Sequence, residues 1–175
     1  MENQANPSRK SVMLNFGLIL GFISIISHLL MYVFGNIYEP HWSMMLISAA
    51  ISLTLIIMAL KKVRESENNL LSIGTAIKVG LGISLISAIV YSLYLAIFVN
   101  MIEPAYFENV AQVQEQAMIE RYPNMSDEQM EAALNNTKMF NSTGAVVTMT
   151  LIISLFFGLI LSLVGGLIMR KSEDV

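Results

Sequence analysis

The 175-residue chain contains no cysteine. Disulfides, thiolate metal sites and cysteine nucleophiles are therefore excluded. The compartment stays open, because a missing residue type fits any redox environment. Charge is scarce as well: 13% of the residues are Asp, Glu, Lys or Arg, against about 25% in a soluble domain. The net charge of −3 gives no reason to expect a nucleic-acid partner. Histidine occurs only as His28 and His41. The HExxH, GxGxxG, P-loop, GxSxG and CxxC patterns are all missing. With no visible nucleophile–base pair, the chain is expected not to be an enzyme and to carry neither cofactor nor metal.

What is present is apolar sequence. Hydrophobic residues make up 55% of the chain, and its mean hydropathy is +0.62. Four long runs stand out, at about 12–34, 42–60, 73–99 and 145–169. A helix needs about 20 predominantly apolar residues to cross a bilayer, and in lipid its peptide groups must bond to one another. The expectation is one all-α membrane domain: a four-transmembrane-helix bundle with an extracytoplasmic helical hairpin between helices 3 and 4. The first run exceeds the apolar core of a secretory signal, and no small-x-small cleavage site follows it. It is expected to stay as the first span.

Lys and Arg near the span ends set orientation. Arg9 and Lys10 precede the first span, Lys61, Lys62 and Arg64 follow the second, and Arg170 and Lys171 follow the fourth. The 35–41 loop has no Lys or Arg, and the 100–144 loop has Arg121 and Lys138 only. Both termini are thus expected in the cytoplasm. Tyr32, Tyr38, Trp42, Tyr94, Phe98 and Tyr106 gather near the opposite, outer ends, where amphipathic rings prefer to sit.

Small residues recur every fourth position on two spans. The third carries Ala76, Gly80, Ser84, Ala88, Ser92 and Ala96; the fourth carries Thr150, Ser154, Gly158, Ser162 and Gly166. The first has Gly17, Gly21, Ser24 and His28 along one arc. Such rows permit the close backbone approach that drives helix association in lipid. The third and fourth spans are expected to pack on each other; the alternative is pairing with a second copy. Lys78, the one fully charged side chain inside a span, is read as a snorkelling anchor, with an ion or headgroup ligand as the rival reading. His28 is a functional candidate because it ionises within a span. Its plainer role is a hydrogen bond across a helix interface.

The 100–144 segment holds seven carboxylates against two cations. Pro104 is expected in the first turn of a helix, with Tyr106, Phe107, Val110, Val113, Ala117 and Met118 on its apolar side. Ser126 and Gln129 form a capping box for a second helix. The Glu103-Pro104 pair is expected to mark the exit from the bilayer, by a kink or a restart. Five methionines here, Met101, Met118, Met125, Met130 and Met139, could make a thioether site, yet they fit helix apolar faces equally well.

The stretch "LLSIGTAIKVGLGISLISAIVYSLYLAIFVNMIEPAYFE" resembles the central signature of a bacterial four-helix membrane family, the domain of unknown function DUF4199. The likeness lies in the serine- and glycine-led third helix, Lys78 before Gly80, the tyrosine-rich outer end and the Glu103-Pro104 border. It extends to the acidic "MSDEQMEAALNNTKMF" and to the terminal Arg170 and Lys171. The resemblance implies an integral protein of the bacterial cytoplasmic (inner) membrane and assigns no activity or ligand.

Two functions are therefore expected. The first is a non-enzymatic accessory or assembly protein, acting in the lipid bilayer as a homo-oligomer or with a larger membrane partner. The alternative is a small-solute or ion transporter or channel subunit, for which hydroxyls, Asn15 and His28 are the available polar groups.

Overall fold

Apart from the helix Tyr106–Arg121, whose cap Ala105 makes no side-chain bond, the α-helices start where a polar side chain can satisfy the unpaired first-turn amides. Ser8 accepts from the Ser11 amide ahead of α1 (Arg9–Phe34), and the His41 ring caps α2 (Trp42–Ser66). Ser72 caps α3 (Ile73–Ile97), and Ser142 caps α6 (Thr143–Met169). Ser126 and Gln129 bond reciprocally ahead of α5 (Asp127–Lys138). α4 spans Tyr106–Arg121. The computed structural model describes residues 8–138 and 140–170; Met139 and Lys171 lie outside them.

The fold is all-helical among the described residues, and α1, α2, α3 with its extension, and α6 are each long and apolar enough to cross a membrane. α2 continues six residues past its apolar run, through the basic "KKVRES" segment. Asn68 and Asn69 then take positive φ (52° and 62°), a conformation short polar side chains tolerate, and the chain reverses into α3. The Arg9 guanidinium bonds the Glu67 carboxylate, tying the start of α1 to this reversal. We call this the basic end of the bundle. The 35–41 and 103–142 connections lie at the other, the loop end.

α3 is the central helix. It buries 44% of its most apolar stretch inside the protein, whereas the other three spans bury 17–22%. It packs most extensively on α6 and α1. The α3–α6 contact runs antiparallel over Ala76 with Gly166, Gly80 with Ser162 and Ser84 with Gly158. α1 approaches α3 with Gly17 against Ile86 and Gly21 against Val90. α2 joins mainly through its basic-end half, where Ile56, Ala59, Leu60 and Val63 are fully buried. These pack with Val12, Phe16, Leu20, Val79 and Ile83 into one cluster. The other half of α2 stands apart, with Trp42 66% exposed and Met44, Met45, Leu46 and Ile47 exposed.

Past Ile97 the chain widens into a π-helical turn, Phe98–Ile102, closed by the Glu103 amide donating to the Phe98 carbonyl at 2.8 Å. Pro104 does not sit in the first turn of α4. It occupies the second position of a turn closed by the Tyr106 amide on the Glu103 carbonyl (2.9 Å), where its fixed φ suits the bend. The chain therefore turns before α4 begins. α4 and α5 contact each other, and α4 has no buried residue.

A Cβ placed on Gly80 would stand 2.6 Å from Ser162 Cβ, an atom that no rotamer can move. Gly80→Ala should therefore destabilise the bundle by about 1–3 kcal/mol, the usual cost of overpacking. Gly144 has nothing within 4 Å of such a Cβ, so Gly144→Ala should be neutral or slightly stabilising. Unfolding of the two variants in mixed micelles checks the contrast.

Candidate functional site

His28 lies six residues from the loop end of α1, about 9 Å in at 1.5 Å per residue. Its Nδ1 is hydrogen-bonded to the Tyr94 hydroxyl at 2.9 Å. Tyr91, Tyr94 and Phe98 surround the ring edge-on, with centroids 4.7–6.0 Å away. Helical spacing explains the grouping, since Tyr91, Tyr94 and Phe98 fall three or four residues apart on α3 and its π extension. His28 thus bridges α1 and α3. Nε2 has no protein partner among the described residues, and the ring lines a cavity.

That cavity, about 370 Å³, adjoins a second of about 400 Å³. Together they form one cleft walled by all four spans. α1 supplies Ser24, Ser27 and His28; α2 supplies Ser48 and Ser52; α3 supplies Ser84, Ser87 and Tyr91; α6 supplies Thr150 and Ser154. Ser24 and Ser52 donate to the carbonyls four residues back, leaving them little capacity for anything else. Ser84 and Ser87 are 6% and 7% exposed and have no hydrogen-bond partner among the described residues. Ser87 stands at the middle of the Ile73–Ile102 span.

Ser27, Met31 and Ser48 join the cleft to a third space of about 700 Å³ between the loop-end halves of α1 and α2. Leu30, Phe34, Met44 and Ile47 make its walls apolar, and Asn36, Glu39 and His41 form a polar rim. In the other direction the cleft stops at the packed cluster around Leu20, Ile56 and Ile83. It runs from the loop end and ends blind at mid-span, open along its flank where Met45, Ile153 and Phe157 are exposed.

A polar clasp holds the loop end together. The Tyr32 hydroxyl donates to Glu103 at 2.8 Å, and Asn109 of α4 donates to Glu103 and to the Tyr38 hydroxyl at 3.4 and 3.0 Å. Glu103 is therefore the tie between α1 and α4. Tyr32, Tyr94, Phe98 and Tyr106 pack inward in one cluster with Ile37 and Phe107; they do not form an outward-facing belt. Burial pushes the Tyr106 phenol above its ordinary range, and the neighbouring Tyr38 adds to the effect.

The remaining sequence candidates fall in separate places. Gly80, Ser84, Gly158, Ser162 and Gly166 meet at the α3–α6 contact, and Ser162 donates to the Gly158 carbonyl. Ala88 and Ser154 line the cleft. Ser92 is buried with its hydroxyl unpartnered among the described residues. Lys78 is exposed on α3 near the basic end, away from the cleft. Asn15 is exposed on α1. No three His, Asp or Glu side chains converge as metal ligands among the described residues.

Reading small residues only as packing surface missed the cleft. The overlooked positions are Ser27, Ser48, Ser52, Ser87 and Tyr91. A signal was available: every span carries two hydroxyls three or four residues apart, at 24 and 27, 48 and 52, 84 and 87, and 150 and 154. Such pairs share a helix face.

A family model described as a protein of unknown function (DUF4199) matches residues 15–171. No curated protein and no solved structure matches the chain.

The His28–Tyr94 bond generates a direct test. Tyr94→Phe should cost about 0.5–1.5 kcal/mol, the net worth of one hydrogen bond, toward the lower end inside a membrane. In a His28→Phe background the same change should cost nothing. A double-mutant cycle on detergent unfolding measures the difference.

Proposed function

The chain belongs to the DUF4199 family, a membership that assigns no activity, and from the shape of its cleft we propose a non-enzymatic accessory protein of the bacterial cytoplasmic membrane that receives an occupant there. The chain is a multi-pass membrane protein by its four spans. Clustering of Arg9, Lys10, Lys61, Lys62, Arg64 and Arg170 at the basic end supports placing that end, with both termini, in the cytoplasm. The loop end, with its acidic α4–α5 hairpin, then faces outward and offers a surface to a larger membrane protein or to a second copy.

One observation carries this reading: the cleft opens at the loop end and ends blind at mid-span. A transporter of alternating access also has its site at mid-span, typically on broken helices, whereas the four spans here run unbroken through mid-span. Here the basic-end half is closed by side chains with no solvent exposure, among them Ile56, Leu60 and Ile83. Holding an occupant fits this shape better than passing it across. The transporter reading rests on a different observation, His28 and unpartnered hydroxyls on the cleft wall, and requires the plug to open.

Because the chain has no cysteine, an introduced thiol is unique. Ser48→Cys should react with a membrane-impermeant maleimide added outside intact cells and not with reagent confined to the cytoplasmic face. Ala59→Cys, within the plug, should react from neither side. Labelling of Ala59→Cys under turnover with a candidate solute would favour transport. Labelling of Ser48→Cys from the cytoplasmic face alone would reverse the proposed orientation.

A further inference from the structure

The chemistry of the cleft narrows what can occupy it. Ser84 and Ser87 are more than nine-tenths buried, line the cleft and have no hydrogen-bond partner among the described residues. Beside them His28 has one uncommitted ring nitrogen. An unmet polar group in a low-dielectric setting is costly, so this floor gains from a ligand that can donate or accept hydrogen bonds. It offers no counter-charge: among the described residues, below the rim residues Glu39 and His41, His28 is the one titratable side chain other than Tyr91 along the cleft. A fully charged group would be stranded there. The 700 Å³ space above is walled by Leu30, Phe34, Met44 and Ile47, all exposed on the flank of the bundle, where the bilayer lies. An apolar body therefore fits the upper space, and the lipid leaflet is its source.

We infer that the cleft is a binding site for an uncharged amphiphile, with a hydrogen-bonding head at Ser84, Ser87 and His28 and an apolar body between the loop-end halves of α1 and α2. The proposal deepens the accessory reading and rests on it. Two membrane-resident sources share this chemistry: long-chain alcohols and ring carbonyl compounds of the quinone type. The first both donates and accepts; the second accepts only.

The reporter is Ser52→Cys in the full-length protein purified in detergent. Ser52 lines the cleft while its hydroxyl is spent on the Ser48 carbonyl, so the change removes no free donor. N-Ethylmaleimide modifies the thiol in the presence of hexadecanol, a decyl benzoquinone substituted at every ring position so that the thiol cannot add to it, or hexadecanoate. The uncharged probes should slow modification about tenfold, and the carboxylate should not; whichever uncharged probe protects better identifies the source. Ser87→Ala should weaken that protection about fivefold, as expected for one hydrogen bond. Fast modification unaffected by any probe would show a cleft holding only water and would overturn the proposal while leaving the accessory reading intact. Equal protection by hexadecanoate would also overturn it, since the floor would then make no distinction. A thiol unreactive under every condition would mean that the cleft is closed, and both readings would fall.

Discussion

Close backbone contact between α3 and its two neighbours is the constraint on which everything else depends. In lipid, apolar burial does not drive helices together, because the surrounding tails are as apolar as the side chains. Dispersion between closely approaching backbones does, and it requires positions without bulk. Gly80, Gly158 and Gly166 supply these against α6, and Gly17 and Gly21 supply them from α1. With α3 clamped on both sides, α1 and α6 are fixed, and α2 has room only at the edge.

The cleft follows from that arrangement. α2 has no comparable glycine row. It docks through Ile56, Ala59, Leu60 and Val63 near the basic end and stays apart from the bundle toward Trp42. At the loop end the contacts of α3 change character, from glycine and serine to Tyr91, Tyr94 and Phe98 against His28 and Tyr32. Rings fill the α1–α3 side, leaving the space toward α2 and α6 to hydroxyls. The clasp then locks this end: the Glu103 carboxylate joins α1 to α4, and Asn109 of α4 reaches the 35–41 loop at Tyr38.

The four spans were legible because a bilayer makes strong demands: length, apolarity and charge at the ends can be read position by position. The Ser126 and Gln129 cap was legible for a similar local reason. Pro104 was misplaced by two positions, because a proline suits both a helix's first turn and a tight turn before it, and only the Tyr106–Glu103 bond distinguishes them. Ser84 and Ser154 illustrate the harder problem. Their spacing shows that each lies on an inward-facing stripe. Whether a given rung meets a backbone or a void depends on where α2 sits, and nothing local to α3 or α6 determines that. The Glu103 tie was equally invisible, since its partner Tyr32 is 71 residues away in the chain and becomes a neighbour only after folding.

The α3–α6 contact can be tested in the membrane without a ligand or an activity. A Cβ on Gly166 would lie 2.8 Å from Ala76 Cβ, a little closer than the roughly 3.5–4.5 Å between the Cβ atoms of a disulfide, so the two helices need part by less than about 1 Å for the pair to bond. An Ala76→Cys, Gly166→Cys double variant, oxidised in native membranes, should close a bond within one chain and run as a monomer on a non-reducing gel. Crosslinking that yields only dimers would place the small-residue rows between copies, and the bundle, its plug and its cleft would have to be rebuilt from that contact.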